Sequence, residues 1–126
     1  LFLCAAAPTD VSLQTTWHSR DGSYRLRPCD ESTARAHLGE LIGLYRQGLS
    51  APLHFFPKSA WAYISGGMAA ARRRWTHSRH ADWGESADPA YRLALRGVAE
   101  PLDWNFEQCA QTVFAPLLDY LEDSRR

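Results

Sequence analysis

The densest group of side chains able to bind a metal lies in the segment HSRHADWGESAD, residues 77–88. Neutral imidazole and carboxylate are ligands that zinc, iron and manganese take in proteins. The spacing matches no established metal motif, and polar loops between helices often collect such residues, so we expect a solvated loop without a metal. The alternative is a metal-dependent nuclease built on four of these residues. They are His77, His80, Asp82 and Glu85.

A nuclease of that kind also needs a lysine near the attacking water and carboxylates that hold Mg²⁺. Lys58 is the only lysine, and Phe56 stands two residues before it, where an acid-x-lysine motif would place a carboxylate. The polar face of the hairpin expected over residues 11–29 offers Gln14, Arg25 and other groups that are not acidic. The residues therefore favour a domain without catalytic groups and without a cofactor of its own.

A group of arginines could bind phosphate. Arg72, Arg73 and Arg74 are consecutive, and Arg79 follows five positions after Arg74. Such a cluster is suited to nucleic-acid backbone contacts. Basic residues at the end of a helix also complement the helix dipole, so a solvated helix end explains the same residues. Both interpretations stay open from the sequence.

Composition limits the classes of protein that fit. The 126 residues suit one domain, 1–126, and the fourteen basic and fourteen acidic side chains cancel, which is unusual for a free-standing DNA-binding module. Cys4, Cys29 and Cys109 are far apart in sequence and form no CxxC pair, so we expect small buried thiols in a reducing cytosol. The opening LFLCAAA suggests a chain that begins inside an element of something larger, and no segment is long enough to span a membrane.

Alternation of apolar and polar residues predicts a β-hairpin over residues 11–29. The two runs flank Asp21-Gly22, a dipeptide typical of tight hairpin turns. One face would be apolar and would need a helix or more sheet behind it. The residues expected on that face are Val11, Leu13, Thr15, Trp17, Tyr24 and Leu26.

Four helices are expected after the hairpin. Asp30 is a plausible N-cap for the first, and Gly48 is expected to end it. A second helix follows the aromatic segment and runs to the arginines. The apolar stripe of the first helix comprises Ala34, Leu38, Leu41, Ile42, Tyr45 and Leu49, and that of the second comprises Trp61, Ile64, Met68, Ala71 and Trp75.

The last two helices also carry start signals. Asp88-Pro89 pairs a cap with a proline suited to the first turn, and it opens a helix expected to continue through Val98. Asp103 is the expected cap of the fourth helix, which contains Pro116. Because proline removes a backbone donor, we expect a kink or a break there.

The segment APLHFFPKSAWAY, residues 51–63, places four aromatic rings beside two prolines. One interpretation is a stiff joint that locks two helices, with Phe55, Phe56 and Trp61 in the core. The other is an exposed loop whose rings anchor a partner subunit. The residues assigned to one or other of these roles are Pro52, Phe55, Phe56, Pro57, Trp61 and Tyr63.

The stretches LGELIGLYRQGLSAPLHFFPKSAWAY and WGESADPAYRLALRG are distinctive together. They resemble the C-terminal domain of the RecC family, the gamma subunit of exodeoxyribonuclease V (RecBCD). The family pattern L-x-x-L-Y-x-x-G-L falls on residues 41–49, and P-L-x-F-F-P-x-[ST]-[AS]-W-x-[YW] falls on residues 52–63. The family's later G-E and D-P pairs correspond to Gly84-Glu85 and Asp88-Pro89.

The resemblance implies an α/β domain, α+β-like in this chain, with the fold of a truncated PD-(D/E)XK nuclease that has lost its catalytic residues. It implies a scaffold and DNA-handling role in double-strand break repair and homologous recombination. RecB-like and RecD-like subunits and DNA ends would be the partners, ATP and Mg²⁺ would belong to those subunits, and the compartment would be the cytoplasm without membrane contact. A helical protein-interaction adaptor unrelated to DNA is the further alternative.

Overall fold

The computed structural model describes residues 1–6, 11, 13–20, 22–76 and 84–122. A two-stranded antiparallel hairpin and five α-helices make up this part of the chain, which gives a mixed α+β architecture. A single 3₁₀ turn, Glu85–Ala87, precedes the fourth helix. The elements in chain order are α1 (Phe2–Ala6), β1 (Thr15–Ser19), β2 (Gly22–Leu26), α2 (Glu31–Ser50), α3 (Pro57–Trp75), α4 (Pro89–Ala94) and α5 (Trp104–Tyr120).

The hairpin is present, with its apolar face as predicted but its turn shifted. Trp17 lies opposite Tyr24, and their ring centroids are 5.5 Å apart. Ser19 pairs with Gly22, so the connection falls one residue earlier than Asp21-Gly22, and Asp21 itself lies outside the described residues. Trp17 is 58% exposed, so this face is more open than a half-buried sheet.

The hairpin is tied to the end of α5 rather than to a broader sheet. Leu26 bridges Leu121 in the antiparallel sense. The amide of Arg27 donates to the carbonyl of Tyr120 at 2.8 Å, and the amide of Glu122 donates to the carbonyl of Arg25 at 2.8 Å. The outer edge of β2 therefore has backbone partners at this end.

Helix α2 begins where the sequence predicted and ends later. An Oδ1 atom of Asp30 accepts a hydrogen bond from the amide of Thr33 at 2.9 Å, which caps the helix. The expected stop at Gly48 is wrong, because α2 continues to Ser50. A Cβ atom at position 48 would lie 3.2 Å from Cδ1 of Leu53, so this glycine lets the following segment pack closely against the helix.

The prediction of one continuous second helix is wrong in its middle. Gly67 has φ 75° and ψ −178°, a conformation outside the helical region. A straight helix would hold residues 56 and 75 about 28 Å apart, yet the rings of Phe56 and Trp75 have centroids 4.2 Å apart. Helix α3 is therefore two arms, 57–66 and 68–75, that fold back on one another.

Small side chains permit this close return. Ala60 on the first arm and Ala71 on the second are both fully buried, and Cβ at position 66 would stand 3.2 Å from Cβ of Ala70. Larger residues at these positions would force the arms apart, because protein interiors leave little free volume. The folded-back shape of α3 thus depends on a glycine turn and an alanine contact.

Phe56 is the centre of the main hydrophobic core. Its side chain is 1% exposed. The ring stacks on Phe106 at 5.9 Å and meets Tyr91 edge-on at 5.1 Å, in addition to its contact with Trp75. Four segments of the chain therefore meet at one aromatic cluster, the kind of packing in which offset and edge-to-face pairs are favourable.

Helices α4 and α5 begin at the predicted caps but differ in extent. The carboxylate of Asp88 accepts from the amide of Ala90 at 2.8 Å, and α4 stops at Ala94 instead of reaching Val98. Asp103 accepts from the amide of Phe106 at 3.0 Å, and α5 continues through Pro116, so of the predicted kink or break the break is absent. No helix in the described part of the chain is long and apolar enough to cross a bilayer.

A second apolar region lies between α1, α2, the hairpin and α5. It contains a cavity of about 320 Å³. Pro116 and Thr112 both line the cavity. Because proline has no backbone N–H, Pro116 cannot donate the helical hydrogen bond to the carbonyl of Thr112. This cavity is separate from the Phe56 core, whose residues do not line it.

Candidate nucleic-acid groove

Gly84 and Glu85 hold both ends of the folded α3 together. The carboxylate of Glu85, 8% exposed, accepts from the amide of Lys58 at 3.0 Å and from that of Ser59 at 2.7 Å. These amides belong to the first turn of α3, where helical partners are missing and where negative charge is favoured. Phe56, the N-cap, makes no side-chain cap of its own, so Glu85 supplies one from a distant segment.

Gly84 makes the contact at the other end. A Cβ atom there would lie 2.6 Å from the carbonyl of Thr76 and from the carbonyl oxygen of Trp75, which is closer than real Cβ contacts. Only glycine fits without a backbone shift. We call this pair the Gly84–Glu85 clip, since one residue presses on the end of α3 and the next caps its start.

The folded α3 forms a concave groove of about 480 Å³ on its outer side. Both arms contribute, which a straight helix could not achieve at one site. We call it the α3 groove. Its lining residues are Lys58, Trp61, Ala62, Ser65, Gly66, Ala70, Arg73 and Arg74.

The α3 groove is positively charged. Lys58, Arg73 and Arg74 are exposed, and no lining residue is acidic among those the structure describes. Within residues 1–6, 11, 13–20, 22–76 and 84–122, none of the three cations forms an ion pair with a carboxylate. In the part of the chain that the structure describes, no carboxylate neutralises them, so their charges can attract an anionic ligand.

Trp61 adds an aromatic surface beside these cations. It is 41% exposed, and its ring meets Phe114 edge-on at 5.5 Å, so one side is fixed by packing. Proteins that bind single-stranded nucleic acid combine a positively charged groove with aromatic rings on which bases stack. The hydroxyl-bearing Ser65 also lines the groove.

Of the arginines predicted to bind phosphate, the structure places two at the groove and one away from its lining. Arg73 and Arg74 line the α3 groove, whereas Arg72 is exposed but is not among its lining residues. Arg79 lies outside the described residues. The same holds for three members of the possible metal cluster, His77, His80 and Asp82.

The fourth member of that cluster, Glu85, caps a helix. Glu85 directs both carboxylate oxygens at backbone amides of α3. Among the described residues, no group of three histidine, cysteine or carboxylate side chains is placed to hold a metal ion.

The residues of the segment 51–63 differ in their burial. Phe56 is in the core, and Phe55 is half-buried against Phe114, with centroids 5.8 Å apart. Trp61, expected in the core, is 41% exposed and lines the α3 groove instead. Pro52 and Pro57 are exposed, and Tyr63 is half-buried.

Two polar pairs fix this segment to α5. The hydroxyl of Tyr63 donates to Glu107 at 2.9 Å, and this hydrogen bond, together with burial and the glutamate's charge, raises the pKa of the tyrosine. Nδ1 of His54 lies 3.0 Å from Oδ1 of Asp103, the cap of α5. Burial acts to raise the pKa of Asp103, but hydrogen bonds from Phe106 and His54 lower it by more.

Sequence reasoning missed Lys58 as a companion of the arginines. It lies fifteen positions before Arg73, too far along a straight helix to share a site. The available signal was the pair Gly66-Gly67 in the middle of the predicted helix, since glycine is unfavourable there unless a break is needed.

The fold and the groove define a mixed α+β domain with a basic, aromatic surface on a folded-back helix. The family model of the RecC C-terminal domain matches residues 1–67, more than half of the 126 residues, and the chain belongs to that family. The match contains Lys58 and Trp61 and ends at the glycine turn of α3. No curated protein matches the chain. Membership implies a role in a RecBCD-type complex, exodeoxyribonuclease V.

Proposed function

We propose that residues 1–126 form one non-catalytic domain that contacts DNA and partner subunits in a RecBCD-type helicase–nuclease. The observation that carries the proposal is the α3 groove, where Lys58 and Trp61 of the first arm meet Arg73 and Arg74 of the second. RecB-like and RecD-like subunits supply ATP and Mg²⁺ chemistry in this proposal, and the cytoplasm is the compartment that suits such a complex. The fold would be a truncated relative of the PD-(D/E)XK nucleases.

The charge of the groove supports a phosphate backbone as its ligand. Each cation that neutralises a phosphate releases counterions, so binding weakens steeply with salt. The chain as a whole has no net charge. A local group of three cations without acidic lining residues can therefore attract DNA where the rest of the surface does not.

The buried clip argues against the nuclease alternative. A carboxylate that holds a catalytic metal must present its oxygens to the ion and to water. Glu85 instead caps α3 with both oxygens and is 8% exposed. Releasing it for a metal would leave the amides of Lys58 and Ser59 without acceptors, at a cost of about 1–3 kcal/mol.

The test is binding of a fluorescent single strand and a forked duplex by the full chain, measured by anisotropy over a range of salt. In a variant with Lys58→Gln, Arg73→Gln and Arg74→Gln, affinity should fall. The salt dependence should also become weaker. The negative slope of log affinity against log salt should lose about two units of its magnitude, since each lost phosphate contact removes about 0.7 to 0.9.

The matched control removes the same charge elsewhere. Arg35, Arg92 and Arg96 are exposed and do not line the groove. Their triple replacement by Gln should leave the slope nearly unchanged. Equal losses in both variants would mean that only net charge matters, and the assignment of the α3 groove to DNA would be wrong.

An apolar stripe on α2 supports the part of the proposal that concerns subunits. Ile42, Tyr45 and Leu49 are 49%, 67% and 70% exposed, at a spacing that places them on one helix face. The family match covers this helix, and that family works in a multi-subunit complex. Exposed aromatic and aliphatic residues on one face are typical of interfaces.

Co-purification tests this surface. The tagged chain is mixed separately with the RecB-like and the RecD-like subunit, and the bound fraction is compared with that of a variant carrying Ile42→Ser and Leu49→Ser. We expect one subunit to be retained and the variant to lose it. Substitution of the equally exposed Leu93 by Ser is the control, and retention of neither subunit by the wild-type chain would contradict the scaffold role.

A further inference from the structure

Two of the three cysteines meet at the apolar cavity, although they are 25 positions apart in sequence. Cys4 lies on α1, and Cys29 lies just before the capping residue Asp30 of α2. Both line the cavity of about 320 Å³ between these helices, the hairpin and α5. The packing of α1 against α2 brings the two thiols to the lining of the same cavity.

The two thiols line the same cavity and also interact with each other. Burial raises the pKa of Cys29, and a hydrogen bond with the Cys4 side chain raises it further. A raised pKa lowers the thiolate fraction of Cys29 at neutral pH, so this thiol attacks disulfides slowly there. The backbone at Cys29 is restrained, since the carboxylate of the next residue caps α2.

We propose that Cys4 and Cys29 are a reversibly oxidisable pair whose disulfide ties α1 to the start of α2 at the edge of the cavity. The oxidant class is a low-molecular-weight disulfide such as glutathione disulfide. The Sγ thiolate of one cysteine attacks it and releases one glutathione thiolate, and the second cysteine then attacks the mixed disulfide and releases another. Two thiols and one disulfide thus become one protein disulfide and two glutathione molecules.

The third cysteine provides an internal control. Cys109 is 5% exposed on α5 and does not line this cavity. It lies against the groove that contains His54 and Trp104, on another side of α5. Burial raises its pKa as well, so thiol chemistry alone does not distinguish it from Cys29. The difference is that Cys29 lines the same cavity as Cys4, whereas Cys109 does not.

The experiment equilibrates the full chain with glutathione redox buffers at pH 7 and at about pH 9, since the thiolate fraction rises with pH. Remaining thiols are alkylated, and the peptides are identified by mass spectrometry. We expect a monomer that has lost two hydrogen atoms, a linked peptide containing Cys4 and Cys29, and faster formation at the higher pH. The unfolding temperature should rise by several degrees, because a closed loop constrains the unfolded chain.

Variants decide between this pair and less specific oxidation. Cys109→Ser should form the same linked peptide, whereas Cys4→Ser and Cys29→Ser should not. Glutathione adducts without an internal bond, links that include Cys109, or disulfide dimers as the main product would each overturn the proposal. Because the peptide map of the wild-type chain answers the question directly, a variant that fails to fold does not obscure it.

Discussion

Single side chains in this domain do structural work that their types alone do not reveal. Glu85 is one of five potential metal ligands in the segment 77–88, yet its carboxylate is buried and caps a helix. Phe56 is one of several rings in the segment 51–63, yet it is the ring that reaches the centre of the core. Burial and hydrogen bonding by residues distant in sequence decide both roles.

Replacing Glu85 tests the clip. In Glu85→Ala, the buried amide of Ser59 and the partly buried amide of Lys58 lose their acceptor, so the free energy of unfolding should fall by about 1–3 kcal/mol. In Glu85→Gln, one carbonyl oxygen remains, and the loss should be smaller. Chemical denaturation of the purified chain measures both. Glu40→Ala, at an exposed position of α2, is the control, and equal stability of Glu85→Ala and wild type would contradict the cap.

Asp103 gives the chain a defined acid sensitivity. Its pKa is lowered in the folded state by hydrogen bonds that outweigh burial, so its charged form stabilises the fold at neutral pH. That contribution is fully present above the ordinary pKa of about 4 and is lost as pH falls through the lower folded value.

The variant Asp103→Asn keeps a capping oxygen but has no charge to lose. We therefore expect it to be less stable than wild type at pH 7 and closer to wild type at about pH 3. Denaturant titrations at a series of pH values measure the difference. A gap between the two proteins that does not narrow on acidification would show that the charge of Asp103 contributes nothing.

At the scale of elements, the fold of α3 is the decisive feature. The sequence pattern of α3 predicts a 19-residue helix with a single apolar stripe, and the N-caps of the other long helices are found where the pattern predicts them. What the pattern lacks is the turn at Gly67, which reverses the helix and brings Lys58 to Arg73.

Local signals explain which elements could be predicted. Asp30, Asp88 and Asp103 cap helices because a short carboxylate satisfies nearby amides, an effect that depends only on adjacent residues. The α3 groove joins Lys58 to Arg73, 15 positions later, and the carboxylate of Glu85 caps an amide 27 positions earlier. Such contacts follow from packing of whole elements, and a single sequence does not specify them.

Substitution of Gly67 tests the turn. At φ 75° and ψ −178° a Cβ atom is strained, so Gly67→Ala should lower the free energy of unfolding by about 1–3 kcal/mol. Gly39→Ala is the control, because an added Cβ at that helical position meets nothing within 4 Å. That change should be neutral or stabilise by up to about 1 kcal/mol. Stabilisation by Gly67→Ala would mean that α3 is continuous.

At the scale of the whole molecule, the domain has one main aromatic core and two distinct exposed surfaces. The Phe56 core holds α3, α4 and α5 together. The α3 groove faces solvent with three cations and Trp61, and the stripe on α2 exposes apolar residues, which we propose as a contact for a subunit. Membership in the RecC C-terminal domain family gives both surfaces a context, a complex that handles DNA through several subunits.

The most direct measurement of the central claim is fluorine NMR of the chain labelled with 5-fluorotryptophan, with DNA added stepwise. Single Trp→Phe variants assign the resonances of Trp61 and of Trp104, which is 69% exposed but lies outside the α3 groove. We predict that a single strand shifts the Trp61 resonance, leaves that of Trp104 in place, and has no effect in the Lys58→Gln, Arg73→Gln, Arg74→Gln variant. A Trp61 resonance that stays fixed while DNA binds would show that nucleic acid contacts another surface.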